Sequence, residues 1–206
     1  MSTRTKPSAR RKVGRPGVGE GVREAILAAA LRLLESTGSP DRVTVAAIVD
    51  EAGCTPPSLY HYWPTRDLLL KEASASGWER FRASQTDALD DDLSPVERLR
   101  LRGTAYLDFA LAEPALFRVL FLEPPAAGPD GPPETGAALG DLVADVIAAM
   151  KSGQLRTADP LTTSLILWSA VHGVAALWGV NPSLPTDLAH RVGDLVQSSV
   201  LAGLAP

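Results

Sequence analysis

The chain has 206 residues, 45% hydrophobic and 21% charged, which is enough apolar material for one domain or two small ones and excludes broad disorder. A single Cys excludes a disulfide framework or a cysteine zinc site within one chain. The basic start, MSTRTKPSARRKVGRPGVGEG, lacks the apolar run of a secretory signal, so a cytosolic protein is expected.

The net charge of −4 is unevenly spread. Residues 1–71 carry 11 Lys and Arg against 7 Asp and Glu, a balance of +4, while residues 72–206 carry 9 against 17, a balance of −8. That split points the N-terminal half toward a polyanion. Residues 1–17 read as a disordered basic arm. Helical periodicity begins near Val18, with Val22, Ile26, Ala29 and Leu33 at three- and four-residue steps, and Gly38 ends it. SPDR is a turn. Thr44 caps a short helix, VAAIVDEA, which stops at Gly53. A second short helix covers about Ser58 to Tyr62, and Pro64 breaks it. Thr65 or Asp67 opens a longer helix to about Ala88, with Trp78 and Phe81 on one face.

Beyond DDDLSPVE a helix covers roughly residues 95–112. After Pro114, ALFRVLFL is a short helix. The stretch from Glu123 to Gly136 holds five prolines and three glycines and is expected to be an irregular loop. Three helices follow, at about 136–152, 160–180 and 186–204. No alternating strand pattern or internal repeat is present, so the fold class is all-α, with about nine helices. Between Pro160 and Thr186 there is no charged residue, a length that can span a bilayer. The polar Thr162, Thr163, Ser164, Ser169, His172 and Asn181 argue instead for a buried helix and no membrane contact.

The helices before residue 63 form a long-short-short set with a tight turn at EAGCT. Ala52 permits close packing, Gly53 can turn left-handed, and Ile48 and Leu59 would be buried between the short helices. This is a helix-turn-helix, whose second helix enters the DNA major groove. The two prolines suit its start, where backbone amides have no intrahelical partners. Either Thr55 caps the helix by accepting from the Ser58 amide, or Pro56 takes the capping position and Pro57 is the first helical residue. Pro56 and Pro57 would offer apolar ring edges to a thymine methyl. Ser58, Tyr60, His61 and Tyr62 supply polar groups for phosphates or base edges, and Trp63 is a core plug. Arg66, near the start of the next helix, can face a phosphate.

The stretch TVAAIVDEAGCTPPSLYHYWPTRDLLL, Thr44 to Leu70, resembles the TetR/AcrR family of bacterial transcriptional regulators. LWSAVHG, with Trp168, His172 and Gly173, resembles the Trp-His-Gly signature of one of its subgroups. The resemblance implies a helix-turn-helix domain over residues 18–66 and a ligand-sensing and dimerisation domain over 67–206. It implies a homodimer, joined through about residues 160–204, on a palindromic double-stranded DNA operator, most often a repressor released by a small apolar or amphipathic effector. It maps DNA contacts onto Thr44, Thr55, Ser58, Tyr60, His61, Tyr62 and Arg66. Small residues such as Gly193, Ser199 and Ala202 would let the last helices approach their mates. An activating or ligand-independent regulator, or a helical interaction module, is the alternative.

GRPG within ARRKVGRPG resembles minor-groove arms, so Arg11, Lys12 and Arg15 are candidate groove contacts beside plain phosphate attraction. Candidate effector contacts are Trp78, Phe81, Tyr106, Phe109, Phe117, Trp168 and His172, an apolar set with a few polar handles. No nucleophile elbow, P-loop or Rossmann glycine pattern is present, so no enzyme and no cofactor are expected. Three scattered His and one Cys give no metal spacing.

Overall fold

The structure, a computed structural model, describes residues 19–87, 89–90, 92–125 and 133–206. Among these residues there are nine α-helices and no strand. The expected arm, with Arg11, Lys12 and Arg15, lies outside the described residues.

Helix α1 spans Glu20–Thr37. It ends at Gly38, whose left-handed φ of 62° lets its amide bond the Leu34 carbonyl at 2.8 Å. Pro40–Arg42 forms a 3₁₀ turn. Helix α2 is Val45–Glu51, capped by the Thr44 hydroxyl, which accepts from the Ala47 amide at 3.2 Å. Gly53, at φ 66°, turns the chain into α3, Pro56–Tyr62. Helix α4, Arg66–Asp87, opens with the Thr65 hydroxyl accepting from the Leu68 amide at 3.2 Å.

Helix α5, Pro95–Ala112, starts in a reciprocal cap between Ser94 and Glu97. The expected short helix after Pro114 is two pieces: α6, Pro114–Phe117, and a wide π turn, Arg118–Leu122, closed by the Glu123 amide on the Arg118 carbonyl at 2.8 Å. Helix α7 is Pro133–Lys151 and begins earlier than expected. A proline at the first helical position loses no hydrogen bond, so Pro133 starts the helix instead of excluding it. Helices α8, Pro160–Val180, and α9, Thr186–Leu204, fall where expected.

Three apolar clusters hold these elements. The first joins Ile26, Ala30 and Leu34 of α1 to Ile48 of α2, Leu59 of α3, Trp63, and Leu69 and Leu70 of α4. Burying each such side chain contributes roughly 1.5–3 kcal/mol. Val119 of the π turn also enters this cluster. The second surrounds Trp78, Phe81, Tyr106 and Phe117, and the third joins Leu99 to Val146 and Leu201. Helix α5 packs against α4, α7, α8 and α9. Glycines permit close crossings. A Cβ at Gly77 would sit 2.7 Å from Leu116 Cδ1, and one at Gly193 would sit 2.8 Å from Leu107 Cδ2. Gly193 therefore serves contact with α5 inside the subunit, which corrects its expected place in the dimer seam.

Candidate nucleic-acid interface and effector cavity

Helix α3 is amphipathic within two turns. Ser58 and Leu59 face inward and are buried, while Pro56, Pro57, Tyr60 and His61 are exposed. Ile48 and Leu59 are fully buried between α2 and α3, as the turn spacing predicts. At the start of α3 Thr55 takes the capping position, as one of the two expected arrangements has it, but its side chain does not accept from the Ser58 amide, and Pro56 is not the cap. Pro56 is the first helical residue and Pro57 the second, with Thr55 extended at ψ 154° before them. The Ser58 amide bonds the Thr55 carbonyl at 3.0 Å, and the two hydroxyls meet at 2.9 Å. Ser58 therefore sits on the protein side of the helix, and its hydroxyl is engaged by Thr55. That is a correction to its expected position as a base reader.

Thr44 is exposed at the head of α2. Arg66 donates to the Val43 carbonyl at 3.2 Å and to Asp67 Oδ1 at 3.0 Å, so its fork ties the start of α4 to the segment before α2. The Tyr62 hydroxyl is spent twice: it accepts from the Gly19 amide at 2.6 Å and donates to the Gly19 carbonyl at 2.9 Å. This clasp joins the end of α3 to the entry of α1. Trp63, expected as a plug, is buried, and its Nε1 donates to Glu72 at 2.7 Å. Arg23 pairs with the same carboxylate and lies 5.2 Å above the indole, a cation–π contact. The sequence offered no signal for Arg23 and Glu72 as braces, because they are 49 residues apart.

A cavity of about 70 Å³ lies among α4, α5, α7, α8 and α9. Of the expected effector contacts, Trp78, Phe81, Tyr106 and Trp168 line it. Phe109, Phe117 and His172 do not. Phe109 packs behind Phe81 at 5.2 Å between ring centroids, and Phe117 is buried against Tyr106 and Phe121. His172 sits one layer back, where its Nδ1 meets the Tyr106 hydroxyl at 2.7 Å. The same hydroxyl accepts from Trp168 Nε1 at 3.2 Å. Burial pushes the Tyr106 phenol up and the His172 imidazole down, so both stay neutral near pH 7. The hydroxyl then donates to Nδ1, which places the imidazole proton on Nε2. The histidine thus orients a cavity-lining tyrosine.

Sequence reasoning missed Phe121, Gln85, Arg102 and Gln197, which also line the cavity. Phe121 was within reach, since it follows Phe117 by one helical turn. In the orientation that satisfies its neighbours, the Gln85 amide donates to the Arg102 carbonyl at 3.0 Å and accepts from the Tyr106 amide at 3.1 Å. No group of His, Cys, Asp and Glu among the described residues is arranged to hold a metal.

Helix α8 is long and apolar enough to cross a membrane. One face, with Val171, Val174 and Trp178, is buried, and the Thr163 and Ser164 hydroxyls bond back to the Asp159 and Pro160 carbonyls. The other face leaves Leu161, Leu165, Leu177 and Val180 exposed, and Ser169 and Gly173 lie between them. On α9, Leu195, Ser199 and Ala202 are exposed.

A family model described as bacterial regulatory proteins, tetR family, matches residues 26–73, and one described as tetracyclin repressor-like, C-terminal domain, matches residues 99–198. The nucleoid occlusion factor SlmA of Vibrio campbellii is 30% identical over 98 residues, 48% of this chain and 50% of that protein. SlmA of Vibrio cholerae is 28% identical over the same length. The chain spans about half the length of the curated relatives it matches. Among solved structures, a tetR family transcription regulator from Shewanella is 18% identical at a TM-score of 0.71, covering 90% of this chain and 98% of that one. A Rhodococcus protein of unknown function is 24% identical at 0.73, covering 96% and 100%. The transcriptional regulator FadR from Bacillus subtilis, in complex with stearoyl-CoA, is 17% identical at 0.64, covering 85% and 97%. These structures share the fold.

Proposed function

We propose, from the premise that this chain belongs to the TetR family of bacterial DNA-binding transcriptional regulators, that it is a cytoplasmic repressor which binds a palindromic operator as a homodimer and is released by a small molecule. The observation that carries the DNA-reading part is the division of α3. Leu59 and Trp63 hold the helix to the first core, and Pro56, Pro57, Tyr60 and His61 stand outside it. Thr44, at the head of α2, and Arg66, at the start of α4, are candidate phosphate contacts.

The charge-free outer face of α8, with the exposed side of α9, supports a dimer seam within residues 160–204, because an apolar face of this length calls for a partner. Two copies related by a two-fold axis would present two α3 helices to successive major grooves. The division into an arm, a DNA-binding domain over 18–66 and a sensing domain over 67–206 follows. The cavity supports ligand control, and the bound ligand of FadR is a precedent for that fold only. None of these roles calls for catalysis.

Selection of bound fragments from the source genome, followed by gel-shift titration over salt, tests the reading. A regulator enriches inverted repeats and loses affinity steeply as salt rises. Fragments without shared sequence, bound equally well, would refute operator reading.

A further inference from the structure

The cavity combines two features that define a ligand class. One end is built of ring edges. Phe121 meets Trp78 at 4.9 Å and Phe81 at 5.1 Å between centroids, and Trp168 closes the group at 6.5 Å from Phe121. The other end carries polar donors without acceptors. Gln197 is only 8% exposed and lines the cavity at Gly103, where the missing side chain leaves room for its amide, yet that amide makes no hydrogen bond among the described residues. Arg102 lines the same end. Its Nε donates to Asp145, but its two terminal amino groups meet no acceptor among the described residues.

Charge points the same way. Asp145 is buried and pairs with both Arg98, at 3.1 Å, and Arg102. One carboxylate between two guanidinium groups leaves one positive charge over. The other charged groups of the wall, Arg82 and Asp141, neutralise each other at 3.0 Å. A guanidinium whose Nε is held by Asp145 and whose two terminal amino groups have no protein acceptor among the described residues selects a carboxylate, which those two groups can hold bidentately. Volume limits the body of the ligand. An apolar cavity of roughly 150 Å³ holds one benzene ring, so the present 70 Å³ must about double to admit a single ring, and nothing larger is favoured. Sites for drug-sized ligands begin near about 300 Å³.

We propose that the effector is a monocyclic aromatic carboxylate, with its ring among Trp78, Phe81, Phe121 and Trp168 and its carboxylate on Arg102 and Gln197. This rests on the reading of the chain as a ligand-controlled regulator and names the class of ligand. The anion brings the local charge to zero and supplies the acceptors that both donors lack.

Calorimetric titration of the full-length protein with benzoate, benzamide and hexanoate tests it. Benzoate is expected to bind at least about tenfold tighter than either of the others, a difference of about 1.4 kcal/mol or more. Arg102→Met should erase the preference for benzoate over benzamide. Because Arg102 also holds Asp145, the double variant Arg102→Met/Asp145→Asn removes the pair together and should behave the same way. Gln197→Leu leaves every ion pair intact and should weaken benzoate several-fold. Equal affinity for acid and amide, tighter binding of hexanoate, or no binding of any probe overturns the assignment. A parallel gel shift on selected genomic fragments separates the two readings. DNA binding relieved only by a non-acidic compound overturns the ligand class and leaves the regulator standing. Benzoate binding without any DNA binding does the reverse.

Discussion

Val119 and Phe121 stand two residues apart on one wide turn, yet they belong to different parts of the molecule. Val119 is fully buried in the core behind the DNA-facing helices, and Phe121 lines the cavity. A ligand that displaces the Phe121 ring pulls on a segment whose neighbouring side chain is locked into the other core. Val119→Ala should cost about 2 kcal/mol of stability and should weaken ligand release from DNA more than ligand binding itself. Melting curves and release titrations of the same variant measure both quantities. An unchanged release midpoint would show that the turn carries no coupling.

Burial holds the His172 imidazole below its ordinary value of 6.5. The folded protein then binds fewer protons than the unfolded chain in this range, so stability rises with pH. The contribution is complete above 6.5 and is lost as the pH falls toward the lowered folded value. Melting temperature should therefore drop between about pH 7.5 and 5.5, the range in which histidines titrate. His172→Gln should flatten that segment of the curve, and an equally steep curve in the variant would assign the slope to other groups.

Ser58→Ala should leave operator preference intact, because the Ser58 hydroxyl is buried against Thr55. Its expected cost is that of removing a buried hydrogen bond, about 0.5–1.5 kcal/mol of stability. Replacing Pro56 and Pro57 with alanine, or His61 with alanine, should instead alter which bases are preferred. Binding selections with each variant distinguish these outcomes.

Leu177→Arg places a charge in the exposed apolar stripe of α8. It should convert the dimer to a monomer at micromolar concentration without loss of helicity, as read by light scattering and circular dichroism. A wild-type protein that is already monomeric there would remove the seam from residues 160–204.

Residues 1–15 carry six Lys and Arg, whereas α3 carries none. Deleting them should reduce the slope of log affinity against log salt by about 0.9 for each phosphate that the arm neutralises. If the arm also reads the minor groove, affinity should fall further on A·T-rich than on G·C-rich flanks. An equal fall on both would leave only phosphate attraction.

Much of the architecture was legible because it depends on local chemistry. Thr44 caps, Gly38 and Gly53 turn, and Ile48 and Leu59 are buried, all through interactions within a few residues. Two errors arose where a local rule had two outcomes. Proline can end a helix or begin one, and Pro133 begins one. A serine after a cap can face out or in, and Ser58 faces in. The cavity was half legible. Aromatic residues announced themselves, but Phe121 of the π turn lines the cavity, whereas Phe117 is buried behind it. The Arg98–Asp145–Arg102 group was not legible at all, since it joins positions 43 to 47 residues apart through packing of α5 on α7.

The Tyr62 clasp on Gly19 bears on how fast and how firmly the protein holds DNA. It fastens the point from which residue 18 departs to the end of the recognition helix. Once α3 is seated in a groove, the basic residues upstream no longer search for a phosphate in bulk solution. Any phosphate contact that they make is then intramolecular, and its contribution is set by effective concentration. A tyrosine hydroxyl that touches no DNA can thereby set the avidity of the segment it anchors.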